Sequence, residues 1–200
     1  MTKGLKIAAI AGAFALFGGV AHACETEIAK SDLTDEQAAE LFACIEGKLL
    51  SGYQKSGRAE ADAYRDWFMP STTPFISATH GNRFVNHYVN DIGKDAYMSF
   101  AEEGLTMPVG SITAKESYTV NKKGKVRRGP LFLMEKVAAG SLPDTGDWDY
   151  SVILPNGKIM GQTSGENAKK VKFCHDCHEA VLEGQDAQFY PDEDYRVAAN

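Results

Sequence analysis

The stretch Ile112-Thr113-Ala114-Lys115-Glu116-Ser117-Tyr118-Thr119-Val120 is rich in β-branched residues and contains neither glycine nor proline. That composition predicts a strand. Gly104 and Pro108 break the chain before it, and the basic turn Asn121-Lys122-Lys123-Gly124 follows it. Working outward, Arg83 to Val89 reads as an earlier strand, and a helix over Lys94 to Glu102 separates the two. Leu131 to Val137 and Trp148 to Leu154 read as later strands, the last ending in the hairpin signal Pro155-Asn156-Gly157. Helices come first. Thr34 and Gln37 have capping-box spacing, and Ala38, Leu41, Phe42, Ile45, Leu49 and Tyr53 keep helical periodicity until Gly57. A second short helix is predicted over Ala59 to Trp67, stopped by Pro70. Helices segregated from consecutive strands predict an α+β fold, N-terminal helices plus an antiparallel β-sheet.

Alternation along the quoted strand divides its polar residues. Glu116 falls with Ile112, Ala114, Tyr118 and Val120 on what should be the more buried face. A carboxylate there needs an arginine or hydrogen-bond donors, or serves as a proton relay. Lys115 shares the opposite face with Thr113, Ser117 and Thr119, where a lysine is usually a solvated charge.

The chemistry concentrates near the carboxyl end. Cys174-His175-Asp176-Cys177-His178 is Cys-x-x-Cys-His, the attachment pattern for a c-type haem. Two thiols three positions apart can each form a thioether to one porphyrin, and the adjacent imidazole of His178 can reach the iron as axial ligand. With 4 Cys and 5 His in 200 residues, chance would give this pattern only about 0.002 times per chain. One covalently bound haem c is therefore expected, with the sequence placing the motif on a C-terminal loop or helix. The alternatives are a redox Cys-x-x-Cys and a zinc half-site. Zinc would want a second ligand pair, and the remaining thiols, Cys24 and Cys44, lie far apart in sequence.

The amino terminus is consistent with haem attachment outside the cytoplasm. Lys3 and Lys6 precede an apolar run from Ile7 to Val20, and Ala21-His22-Ala23 supplies small residues for a signal peptidase. Residues 1–23 thus read as a cleaved export signal, too short to span a bilayer, and the protein is expected in the periplasm. Residues 24–62 then form an N-terminal helical segment, and 63–200 a haem domain. The whole chain has formal net charge −6, an acidic balance that argues against nucleic acid or an anionic membrane as partner. In an oxidising compartment a Cys24–Cys44 disulfide is expected to pin the first helix.

No Met follows His178, which excludes the small electron-transfer cytochromes that place a Met ligand downstream of the motif. The β-rich middle of the chain does not suit a four-helix-bundle cytochrome. Met69, Met98, Met107, Met134 and Met160 remain upstream, each more commonly core filler than ligand. The sixth position is thus expected to be open. His80 and Arg83 are candidate partners for the haem propionates; His87 is a further imidazole of interest.

Tyr64-Arg65-Asp66-Trp67, His80-Gly81, Ala96-Tyr97, Pro108-Val109-Gly110-Ser111, Ala114-Lys115-Glu116 and Gly146-Asp147-Trp148 occur in that order before the haem motif. Together these pieces resemble the cytochrome P-460 family of periplasmic haem proteins. The resemblance implies that Lys115 is joined covalently to a meso carbon of the haem. It also implies an open distal pocket for small nitrogen species, with Asp149 as a candidate proton relay beside the Glu116 reading above, and often a homodimer. The implied function is oxidation of hydroxylamine, or a related species such as nitric oxide, with electrons passed to a small acceptor cytochrome. The alternative is a non-catalytic protein like cytochrome c′-beta that binds nitric oxide or carbon monoxide. A plain electron carrier would need a sixth protein ligand.

Overall fold

A computed structural model describes residues 24–198; the export-signal reading of residues 1–23 lies outside them. Helix α1 runs Asp35–Gln54 and opens with the capping box, Thr34 Oγ1 accepting from Gln37 N and Gln37 Oε1 accepting from Thr34 N. Helix α2 is shorter than its composition suggested, Ala59–Ala63, and tightens into a 3-10 turn over Tyr64–Asp66. A short strand β1 (Phe75–Ser77) and a 3-10 turn (Ala78–His80) lead into β2 (Arg83–Val89). Helix α3 spans Asp91–Met98, beginning earlier than predicted because Asn90 caps it by accepting from Gly93 N. Strands β3 (Ile112–Val120), β4 (Val126–Lys136), β5 (Trp148–Ile153) and β6 (Ile159–Gln162) follow. The chain closes with α4 (Lys172–His178) and α5 (Leu182–Gln185).

All six strands pair antiparallel in sequence order, so the fold is α+β around one meander. The predicted bounds of β2 and β3 match the structure. β1 and β6 escaped the sequence reading because three or four residues carry too little pattern. β4 starts five residues earlier than expected, at Val126, since Asn121–Gly124 turns the chain directly back onto β3. Near the end of β3 the register shifts between Glu116 and Tyr118. There Gly129 lets the strands approach: a Cβ on it would lie 2.2 Å from Ser117 Oγ. Gly157 (φ +85°) closes the β5–β6 hairpin against Lys55.

The register sorts the sheet into two faces. Glu116, Ala114 and Tyr118 share one face with Tyr88, Leu131 and Leu133, and α1 packs on it through Ala38, Leu41, Ile45, Leu49 and Tyr53. Tyr53 donates to Gly129 O (2.6 Å) and Tyr118 donates to Ala38 O (2.6 Å), which locks helix to sheet. The other face carries His87, Lys115, Phe132, Met134 and Tyr150, and the C-terminal segment covers it. Cys24 and Cys44 are joined in a disulfide, Cα–Cα 5.8 Å, fastening the start of the described chain to α1. That bond consumes the thiols a zinc site would have needed. Replacing both by Ser is expected to cost about 3 kcal/mol, from the loop-closure entropy of a bridge over a separation of 20 residues. Chemical denaturation of the double variant checks this; a loss below about 1 kcal/mol would mean the linkage carries little of the fold's stability.

Candidate haem site

Helix α4 ends on the haem motif and lays it against the covered face of the sheet. Cys174, Cys177 and His178 all line a cleft of about 480 Å³, including its open mouth. Its other walls are Phe132, Met134 and Tyr150 from the sheet, Thr79 and His80 from the turn before β2, and Phe173 from α4. Both thiols are free. Burial pushes the Cys174 thiol up to about 12, while Cys177 is exposed at the mouth.

His178 is 5 % exposed and held by a single strong contact: its Nδ1 lies 2.6 Å from Ala187 O. With Nδ1–H donating to that carbonyl, the Nε2 lone pair is left for a metal, the usual orientation device for a ligating histidine. Burial, and secondarily the nearby Lys115 charge, lowers His178 to about 3, so the imidazole is neutral. The carbonyl is aimed by an uncommon backbone. Asp186 (φ +45°) and Ala187 (φ +63°) both adopt the left-handed conformation without being glycine. Asp186 is fixed in turn by Met107 N (2.8 Å), Lys136 Nζ (2.6 Å) and Trp148 Nε1 (3.1 Å), all donating to its carboxylate.

Lys115 is not the solvated strand lysine that alternation suggested. It is only 7 % exposed, because the segment after α5 covers its face. Its Nζ donates to Phe189 O at 3.4 Å, and it lines the cleft beside the haem motif. Burial lowers its ammonium to about 8, against an opposing pull from Cys177.

His80, half-buried, also lines the cleft. Its ring packs on Phe132 (centroids 5.0 Å) and faces His178 (6.4 Å). Its Nδ1 is within 2.9 Å of Ser77 Oγ and 3.2 Å of Thr79 Oγ1. Burial, then Lys115 and His178, lowers it to about 2. His87 is fully buried beside Lys115 on β2, its Nδ1 on Tyr97 Oη (3.1 Å) and its Nε2 unpartnered among the described residues.

Three candidates are not brought to the cleft. Glu116, 1 % exposed, points to the α1 face, where Arg65 (2.6 Å), Tyr64 (2.9 Å) and Tyr88 (3.2 Å) donate to it. Burial pushes its carboxyl up while Arg65 and the tyrosines pull it down. It is a paired buried acid, and its position does not serve a distal relay. Asp149 is buried too, on the same face as Glu135 and opposite to Tyr150, and accepts from Gln162 Nε2 (2.7 Å), Ser164 N and Ser164 Oγ. One residue of strand alternation turns it away from the cleft. Arg83 is half-buried, makes no ion pair among the described residues and does not line the cleft.

Sequence reasoning missed Tyr150, Phe132 and the Ala187 carbonyl. Tyr150 and Phe132 were within reach, since once β3 to β5 are paired both fall on the Lys115 face. The Ala187 carbonyl was not, because left-handed Asp and Ala leave no compositional mark.

These residues fit a haem. Two free thiols and a neutral imidazole with an uncommitted Nε2 open onto a mostly apolar slot. Phe173, 49 % exposed beside the motif, offers surface that a bound macrocycle would cover, and the buried Tyr150 hydroxyl has no partner among the described residues. Comparison with known families matches residues 61–190 to the model of Cytochrome P460. No curated protein matches the chain. The matched region includes Lys115, the cleft walls and the whole haem motif, and the family implies a haem cofactor. With most of its length matched and its cleft suited to that group, the chain belongs to the cytochrome P460 family.

Proposed function

We propose that the protein is a periplasmic c-type haem protein that oxidises hydroxylamine, or a related small nitrogen species such as nitric oxide, and passes the electrons to a small acceptor cytochrome. Bound haem supplies one-electron redox chemistry at iron. Cys174 and Cys177 would supply the two thioethers, and His178, oriented by Ala187, would ligate the iron. The single observation that carries the catalytic reading is the desolvated Lys115 amine in the cleft wall. Near pH 7 a lysine lowered to about 8 keeps roughly a tenth of its amines neutral, against fewer than one in a thousand for an ordinary lysine. A neutral amine is the form that can join the ring edge; the C–N bond would replace a meso C–H, with the two protons and two electrons leaving to an external oxidant of the peroxide class. The Tyr150 hydroxyl is the buried donor left to orient a bound ligand.

A second reading is supported by where the acids lie. Asp149 and Glu116 point to the far face, so the cleft walls named above hold no carboxylate to accept protons. That favours reversible binding of nitric oxide or carbon monoxide in the manner of cytochrome c′-beta. In either reading the mature protein, freed of residues 1–23, acts off the membrane and without nucleic acid; a homodimer rests on the family alone.

Lys115→Ala separates the two. On the catalytic reading, proteolysis of the wild-type holoprotein yields one haem-bearing species joining the Lys115 and Cys174 peptides. The variant loses that link, shifts its reduced absorption spectrum and stops reducing an acceptor with hydroxylamine. Unlinked peptides and an unchanged spectrum would leave gas binding as the function.

A further inference from the structure

We propose that the end of the sheet remote from the haem cleft is a docking surface for an acidic segment of another protein. This goes beyond the functional reading above and does not depend on Lys115. The turn after β3 and the start of β4 carry Lys122, Lys123, Lys125, Arg127 and Arg128, with no acid among them. Arg128 reaches across to α1, its Nη1 donating to Lys48 O (3.1 Å), and so sets Lys48 alongside. All six cations are exposed, and none enters an ion pair among the described residues. Glu25 bridges to Lys125 through the backbone but makes no ion pair with it. The β5–β6 turn adds Lys158, and its Gly157 packs against Lys55, so two further exposed cations stand at the same end.

The chain as a whole has 27 acidic residues against 21 Lys and Arg, so this pole runs against its overall balance. Like charges gathered without counter-charges repel one another, and an anionic partner relieves that repulsion. The net charge of −6 does not keep such a partner away. At physiological ionic strength charges are screened beyond about 8 Å, so an approaching surface meets the local cations first.

Shape selects a protein segment over a lipid surface. Lys48, Arg127 and Arg128 line an open cleft of about 860 Å³, mouth included, whose other walls are Cys24, Ile45, Val126 and Pro155. No carboxylate lines it. The forked guanidinium groups suit paired bonds to carboxylates, and the apolar wall suits a hydrophobic side chain beside them. A bilayer is flat on this scale and cannot enter a concavity, whereas a protruding acidic loop or tail can. Val120, where β3 ends, is five residues from Lys115, about 17 Å along an extended strand. A partner docked here therefore leaves the haem cleft open.

The test uses the holoprotein and a fluorescently labelled peptide of alternating Asp and Glu with one central Leu. Anisotropy should show saturable binding that weakens about tenfold or more between about 50 and about 300 mM salt. A peptide with Lys in place of every acid should not bind. Lys48→Glu combined with Arg127→Glu should weaken binding about tenfold or more, with the haem spectrum unchanged. Lys122→Glu with Lys123→Glu, in the exposed turn, should do the same if the first pair folds poorly. Lys169→Glu with Lys170→Glu, exposed beside the haem motif, should leave binding as it was. Absence of saturable binding would overturn the proposal, as would an equal loss in the Lys169 and Lys170 variant. So would phosphatidylglycerol vesicles or duplex DNA binding as tightly as the peptide, which would make the surface a general polyanion contact. Neither result bears on hydroxylamine turnover or on the Lys115 link.

Discussion

Asp186→Ala is expected to lower the unfolding free energy by about 3–5 kcal/mol, the cost of breaking a buried ion pair by removing one partner. The side chain gathers three donors from three parts of the chain: Met107 N, Lys136 Nζ and Trp148 Nε1. Without it, Lys136 stays beneath the Trp148 ring (5.1 Å) with no counter-charge, and two buried N–H groups lose their acceptor. For a chain of this size the melting temperature should fall on the order of 10 °C. The damage should reach the haem site, because Ala187 follows directly and its carbonyl orients His178. Asp186→Asn keeps an acceptor and should lose less. Denaturant titration with the haem absorbance as one probe and tryptophan fluorescence as another checks both effects. A loss under about 1 kcal/mol would show that the charge network is dispensable.

Glu116→Ala should cost a similar amount, about 3–5 kcal/mol, and leave the haem spectrum alone. Arg65 and the Tyr64 and Tyr88 hydroxyls converge on the carboxylate inside the core between sheet and α1. Removing it strands a half-buried guanidinium, only partly compensated by Glu46 at 3.3 Å. Because the strand turns Lys115 to one face and Glu116 to the other, the two variants should have opposite profiles. Lys115→Ala alters the spectrum, whereas Glu116→Ala alters stability. A Glu116 variant of normal stability with lost turnover would restore the proton-relay reading.

The sequence alone determined what local chemistry can write. Cys174, Cys177 and His178 are neighbours on one helical turn, so no fold is needed to bring them together. The capping box at Thr34, the β-branched run from Ile112 to Val120 and the Pro155–Gly157 turn specify their elements through backbone preference and period. Period alone could not say which face of β3 is buried, because both faces are. α1 covers Glu116, and the segment after α5 covers Lys115, from more than seventy residues away in sequence. Only strand register and that covering segment turned Asp149 and Glu116 away, brought Phe132 and Tyr150 in, and set His80 in the same cleft as His178. Such contacts depend on how distant elements pack, and a single side chain's neighbours in sequence carry no record of them.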